Sequence, residues 1–337
     1  MFYYFLKRFF FMTLIMSIVI SITFLIVRLL PGDPILLVVG DRPTLEQIEK
    51  AQNDYGFNEP LHTQYISFLK KTISLDLGVS LRTKQPVLDE INKRFPATFE
   101  LVFFSMLISI IVGLPMGIVS ALKRGKKIDV LFRGFSYVGL SLPVFWLAMI
   151  LQIVFFGMLN WFPLQGRYSG SAFIDDHTIF QSGFIFLDTF FSGDLSLFLD
   201  ALEHIVLPGA TMAFGVLGIL FRITRTTTID ILDAPFFSTF KFYGFKDIDI
   251  IKKSGYKNTL IPISTVAGLS FGLMLGGTFL VESIFDWPGI GYFSVLSILT
   301  RDYPAVIGVT VLYSFTYIII NFFIDIFYFI VDPRTRV

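Results

Sequence analysis

Cysteine is absent from the 337 residues, which removes disulfides, thiol nucleophiles and cysteine-ligated metals at once. Histidine is scarce: His62, His177 and His204 are scattered, and no H-E-x-x-H run could build a zinc site. The chain also lacks G-x-x-x-x-G-K-[ST], the loop that cradles nucleotide phosphates. G-x-S-x-G, the elbow that exposes a hydrolase serine, is missing too. No catalytic residue and no metal ligand is therefore expected. Charge is sparse, with Asp, Glu, Lys and Arg at 16% and a net charge of +1. No basic stretch is interleaved with stacking aromatics, so no nucleic-acid partner is expected.

Apolar residues are what the chain has in excess. They make up 54% of it, and 41 residues are phenylalanine. Runs of about 20 apolar residues recur, the length a helix needs to cross the hydrocarbon core of a bilayer. The expected fold is an all-α polytopic membrane protein with six transmembrane helices, at about 9–30, 97–122, 130–159, 205–221, 259–281 and 305–331. The first follows Lys7-Arg8, is too long for a signal peptide, and reaches Leu30-Pro31 without a small-residue cleavage site, so it reads as a retained helix. Residues 31–95 carry charges of both signs and read as a small extracytoplasmic helical insert after that helix. Pro31-Gly32-Asp33-Pro34 forces a turn. Thr44 and Gln47 form a capping box for a helix through Gln52, and further helices are expected at Pro60–Lys71 and Pro86–Lys93. The chain thus divides into 1–30, 31–95 and a five-helix core at 96–337, with a polar loop at 222–258.

Basic residues distribute unevenly among the connections. Lys123, Arg124, Lys126 and Lys127 follow the second span, and the 222–258 loop is lysine-rich. The loop from Asn160 to His204 has only Arg167 against Asp175, Asp176, Asp188, Asp194, Asp200 and Glu203. The positive-inside rule places both termini, the 123–129 loop and the 222–258 loop in the cytoplasm.

Between Arg222 and Pro262 lies the most polar stretch of the core. Asp233-Ala234-Pro235 offers a carboxylate cap and a first-turn proline for a helix. Phe236, Phe237, Phe240 and Tyr243 follow at helical spacing, giving one aromatic face, with Lys241 on the polar side. Gly244 stops that helix, because glycine enters the left-handed conformation without a Cβ penalty. Asp247 can cap a second helix that continues through Lys252 and Lys253 toward Pro262. Periodicity alone leaves two uses open: a helix lying on the membrane surface, or one docked in a groove of a soluble partner. Inside the spans ionisable residues are few. Asp325, with Asn321 one turn earlier, is the main one and suits a helix–helix hydrogen bond. That scarcity argues against an ion-coupled secondary carrier, the alternative of a different class, which needs carboxylates near the midplane.

The residues resemble the inner-membrane permease subunits of bacterial ABC peptide importers, and in particular the first permease of dipeptide importers. The likeness runs through Leu30-Pro31-Gly32-Asp33-Pro34, Asp54-Tyr55-Gly56-Phe57, Asp76-Leu77-Gly78-Val79-Ser80, Arg94 to Leu101, Ser141 to Trp146 and Leu187-Asp188-Thr189. Two motifs are specific to it: Gly244 with Pro262 in the polar loop, and Glu282-Ser283-Ile284-Phe285-Asp286-Trp287-Pro288-Gly289-Ile290-Gly291. The resemblance implies that 222–258 is a coupling loop fitting a groove on an ATPase, which tips the open choice above to docking. It implies a second homologous permease, two cytoplasmic ATPase subunits that use the ATP, and an extracytoplasmic peptide-binding protein. The chain itself would need no cofactor and would catalyse no covalent step. Glu282, Trp287, Pro288, Gly289 and Gly291 would then shape the external mouth or gate; otherwise this motif is an interfacial turn anchored by Trp287. The implied cargo is dipeptides or short peptides, with nickel or another small solute as the alternative within the family. Phe240 and Phe242 depart from the pattern, which usually has small alanines before the glycine.

Overall fold

The computed structural model describes residues 2–29, 43–46, 59–169, 182–251 and 256–331. Outside them fall the Pro31–Pro34 turn, most of the 44–52 helix, the Asp54–Phe57 motif, Asp175, Asp176 and His177, and Lys252 and Lys253. Among the described residues the structure is helical, and pairing between extended segments is confined to one isolated bridge between Val79 and Pro86. The protein is an all-α polytopic membrane protein. Among the described residues five helices are long and apolar enough to cross a membrane, and a bent helix pair makes six if it counts as one span.

The helices are α1 (Phe2–Leu29), α2 (Leu61–Ile73), α3 (Val87–Leu122), α4 (Lys127–Ser141), α5 (Val144–Leu151, continued by π-helical turns over Gln152–Met158), α6 (Ile185–Ser192), α7 (Leu195–Leu232), α8 (Pro235–Phe242), α9 (Asp247–Ile250), α10 (Tyr256–Ile284), α11 (Ile290–Leu299) and α12 (Tyr303–Val331). Several boundaries differ from the sequence reading. The helix expected at Pro86–Lys93 and the span expected from Ala97 are one continuous helix, α3. The span expected over 130–159 is broken, with α4 and α5 meeting at 108°. Pro143 explains the break: it disfavours helical geometry in the residue before it, and Leu142 is extended at φ −78°, ψ 132°. The fourth span also outruns its expected end, because α7 stays helical through the polar residues 222–232. The short apolar helix α11 was not anticipated.

The chain divides into two compact units, Met1–Pro96 with Gly289–Phe322, and Ala97–Pro288 with Phe323–Val337. In the first, Phe24 of α1 packs on Tyr65 and Phe68 of α2. Its core gathers Val87, Ile91, Ile290, Phe293, Ala305 and Val309. Asp302 organises the rest. Its fully buried carboxylate accepts from Ser80 Oγ and from the amides of Leu81 (3.0 Å) and Arg82 (3.3 Å). It also accepts from the amide of Ala305, three residues on, as an N-cap of α12 does.

In the second unit α7 is central, with α4, α5, α6 and α10 all packed against it. Close approach rests on small residues, as is common between membrane helices. A Cβ on Gly117 of α3 would meet Thr224 at 2.7 Å, and one on Gly218 of α7 would meet the Ser136 carbonyl at 3.0 Å. At the other end of α7, Asp194 caps the helix through the Leu197 amide at 3.0 Å. That bond, helped by the Ser196 hydroxyl, holds its carboxyl below the usual carboxylate range.

Asp302→Ala removes an N-cap and leaves buried donors without an acceptor, losses of about 1 and about 1–3 kcal/mol respectively. The detergent-solubilised variant is expected to melt several degrees lower, with Asp302→Asn in between. An unchanged melting temperature would contradict the role given to Asp302.

Candidate functional site

The loop expected to do the work begins where α7 ends. Asp233 is the C-cap of α7, and its carboxylate turns to Arg124 Nη1 at 3.1 Å instead of capping α8. The register explains this. The residue before Pro235 must be extended, so Ala234 takes the N-cap position at φ −72°, ψ 145° and Asp233 stands one residue too early. Pro235 sits at the first helical position as expected. At α9 the slip is of one residue in the opposite direction, the helix starting earlier than a cap at Asp247 would place it. Lys246 is its N-cap and Asp247 its first residue, so the Asp247 carboxylate pairs with Lys241 Nζ at 3.0 Å.

Gly244 is left-handed at φ +84°. Around it the chain closes a Schellman motif, in which the Gly244 amide donates to Lys241 O (3.0 Å) and the Phe245 amide to Phe240 O (3.3 Å). The apolar contact that accompanies this motif is present too: the Phe240 and Phe245 rings lie edge to face at 5.7 Å. The corner between α8 and α9 is thus fixed by two hydrogen bonds and a ring pair.

The aromatic face splits in two. Phe237 is buried with Ile231 of α7 and Ile250 and Ile251, and Phe236, Leu122 and Leu232 pack on that cluster. Phe240, Phe245 and Tyr243 are exposed, and Phe242 stands out at 93%. Exposed aromatic area of this kind is what a docking surface offers. Sequence periodicity found Phe237 and Phe240 but not Phe245 or the isoleucines; the apolar residues flanking Gly244 and Asp249 were the available signal. Pro262 lies within α10, half-buried.

A buried ion pair fastens the same end of the unit. Asp129, 1% exposed, accepts from Arg225 Nε (2.8 Å) and Nη2 (3.1 Å), from Ser120 Oγ (2.6 Å) and from the Gly125 amide (3.0 Å). Bidentate guanidinium–carboxylate pairing combines charge with fixed geometry. It joins α3, the 123–126 turn, α4 and α7 just beside α8. Sequence reading missed it, although Asp129 is the lone carboxylate after a run of basic residues.

Of the residues assigned to a mouth or gate, all but Pro288 are buried. Glu282 is 1% exposed and accepts from Thr98 Oγ1 at 2.7 Å. Trp287 is equally buried, and its indole donates to Ala97 O at 2.8 Å. An interfacial anchor at Trp287 is therefore replaced by a core position, because the indole N–H finds a backbone partner inside the unit. The segment after α5 is strapped onto this motif: the Gly166 amide donates to Phe285 O at 2.8 Å, and Gln152 Nε2 to Leu164 O and Ile284 O. Arg167 pairs with Glu100 at 2.5 Å and lies over the Trp287 ring. Gly289 precedes α11 as its N-cap, Gly291 is buried in α11, and Pro288 is exposed. Asn321 donates within its own helix to Tyr317 O at 2.8 Å, and Asp325 is half-buried. Among the described residues no group of three or more His, Asp or Glu side chains is placed to hold a metal ion.

Removing Asp129 leaves a largely buried arginine without its carboxylate, a loss of about 2–3 kcal/mol for hydrogen bonds to charged groups. Asp129→Asn and Arg225→Gln are each expected to lower the melting temperature. The double variant should lose less than the sum, as coupled partners do. Strict additivity would contradict the pairing.

Residues 113–337 match the family described as binding-protein-dependent transport system inner membrane component. Residues 1–102 match the description of its N-terminal part, binding-prot-dependent transport system membrane comp, N-term. A relative from Escherichia coli (strain K12), named "Probable D,D-dipeptide transport system permease protein DdpB", is 37% identical over 323 residues, covering 96% of this chain and 94% of its own. The dipeptide transport system permease protein DppB of Alkalihalophilus pseudofirmus is 36% identical over 315 residues, covering 94% and 93%. The glutathione transport system permease protein GsiC of Pectobacterium atrosepticum is 34% identical over 333 residues, covering 99% and 98%. Matched almost end to end, with its apolar helices and its exposed corner between α8 and α9, the chain belongs to the family of binding-protein-dependent transport system inner membrane components.

Proposed function

We propose that this chain is the permease subunit of an ATP-driven ABC importer, forming half of a translocation pore for dipeptides and other short peptides. The observation that carries the reading is the α8–Gly244–α9 corner. Its underside is fixed by Phe237, while Phe242 and Tyr243 face outward at 93% and 78% exposure. A surface-lying helix would turn one apolar face to lipid. Here the apolar residues are divided between a buried anchor and a projecting knob, which suits a groove on a partner.

In this reading two separate ATPase subunits hold and hydrolyse ATP, and the chain supplies no catalytic group. Their closure displaces the knob, and the Phe237 cluster with the Arg124–Asp233 and Arg225–Asp129 pairs passes the displacement to α7, α3 and α4. Rigid-body movement of packed helices is an established way to switch access. Lys241, already paired with Asp247, stiffens the corner as well as facing the partner. A second homologous permease completes the pore, and an extracytoplasmic binding protein delivers the peptide. The uneven distribution of basic residues supports placing both termini and the 222–258 loop in the cytoplasm, with the 31–95 insert outside. Glu282, Trp287, Pro288, Gly289 and Gly291 then form the scaffold of the outer mouth rather than its lining. Relatives named for D,D-dipeptide, dipeptide and glutathione transport support a short-peptide cargo over a metal ion.

Gly244→Val tests the reading. Nothing lies within 4 Å of a Cβ at this position, so the cost is the left-handed backbone alone. For a non-glycine residue that is about 1–2 kcal/mol. The variant is expected to insert and accumulate normally, while peptide uptake falls at least tenfold and the ATPase subunits no longer copurify. Normal uptake with the ATPases retained would show that this corner is not the coupling element.

A further inference from the structure

A small cleft of about 50 Å³ opens between α4 and α7, lined by Arg133, Ser136 and Tyr137 on one side and Arg222, Arg225 and Thr226 on the other. Three guanidiniums meet there with one carboxylate, Asp129, so the local charge is 3 − 1 = +2. Asp129 is already filled by the Arg225 fork, the Ser120 hydroxyl and the Gly125 amide. Arg133 Nε is 3.5 Å from Asp129 Oδ1, and this buried nitrogen has no hydrogen-bond partner. Arg222 is exposed and makes no ion pair among the described residues. The cleft has room for a few waters, hence for one tetrahedral anion but not for a peptide.

Its depth and surroundings identify the anion. Arg133 lies six residues inside the start of α4 at Lys127, about 9 Å along the helix axis. With the basic 123–127 turn cytoplasmic, as in the topology proposed above, this places the cleft near the headgroup region that bounds the hydrocarbon core. Tyr137 and Leu140 continue the Arg133 face of α4 one and two turns deeper, and both are exposed, so an apolar surface leads from the cleft toward the middle of the span. Basic clefts between membrane helices accept lipid headgroups on electrostatic grounds, and guanidinium forks match phosphate geometry.

We infer that this cleft binds the phosphate of an anionic phospholipid, with an acyl chain lying along Tyr137 and Leu140. The singly charged phosphodiester would offset one of the two surplus charges of Arg133 and Arg222 and buttress the α4–α7 contact next to the coupling corner. The inference is independent of what the pore carries.

The test uses the full chain in mixed micelles of phosphatidylglycerol and phosphatidylcholine, with retained lipid counted by native mass spectrometry. Phosphatidylglycerol should be retained over phosphatidylcholine. Arg222→Gln and Arg133→Gln, which spare the Asp129–Arg225 fork, should each reduce retention about fivefold. Arg222→Lys should keep part of it, and Arg124→Gln, outside the cleft, should keep all of it. Arg222 makes no ion pair among the described residues, so its variants report on binding even if those at Arg133 prove unstable. Equal retention by the glutamine variants, equal retention of the two lipids, or release of the lipid by inorganic phosphate alone would overturn the proposal.

Discussion

The bidentate pair between Asp129 and Arg225 is the constraint on which the working end of the second unit depends. A carboxylate this deeply buried is tolerable only when its oxygens are fully engaged, and Asp129 meets that condition with donors from three directions. Because the donors come from α3, the 123–126 turn and α7, satisfying one charge fixes three chain segments against α4. Hydrophobic contact alone would not do this. The same helices meet through glycines and small residues, whose smooth surfaces permit sliding. The ion pair sets the register along which they would otherwise shift.

From that fixed end the structure builds outward to a deliberate exposure of aromatic surface. Phe237 is the foundation, sealed by Ile231, Ile250 and Ile251. Gly244 turns the chain, and the Phe240–Phe245 contact stiffens the turn. In the proposed coupling role, what remains for a partner is the exposed tip, Phe242 and Tyr243. The large phenylalanines that depart from the family's usual small residues have separate uses here. Phe240 braces the corner and Phe242 projects. A partner groove fitted to this chain must accommodate the second but need not receive the first.

Long apolar runs made the membrane class and most of the spans legible in the sequence, because span length is dictated by bilayer thickness. Gly244 was legible because positive φ leaves few other choices. Register was harder. Asp233 and Asp247 both carry the chemistry of a cap, yet Pro235 places the start of α8 one residue later and the turn after Gly244 places the start of α9 one residue earlier, and both carboxylates are left for ion pairs. Long-range partners were not readable at all. Nothing local links Asp129 to Arg225, Ser80 to Asp302 or Ala97 to Trp287, so the burial of Glu282 and Trp287 could not be foreseen from a motif that looks like a surface turn.

The central claim is that Phe242 is the point at which the permease meets a cytoplasmic ATPase. The absence of cysteine gives a direct test. In the assembled transporter, Phe242→Cys should be joined by a short thiol-reactive cross-linker to a cysteine in the ATPase groove, whereas Phe237→Cys, beneath the corner, should not. The account predicts a single cross-linked permease–ATPase species from position 242, which also fixes that loop on the cytoplasmic side. No cross-link from 242, or equal cross-linking from 237, would contradict it.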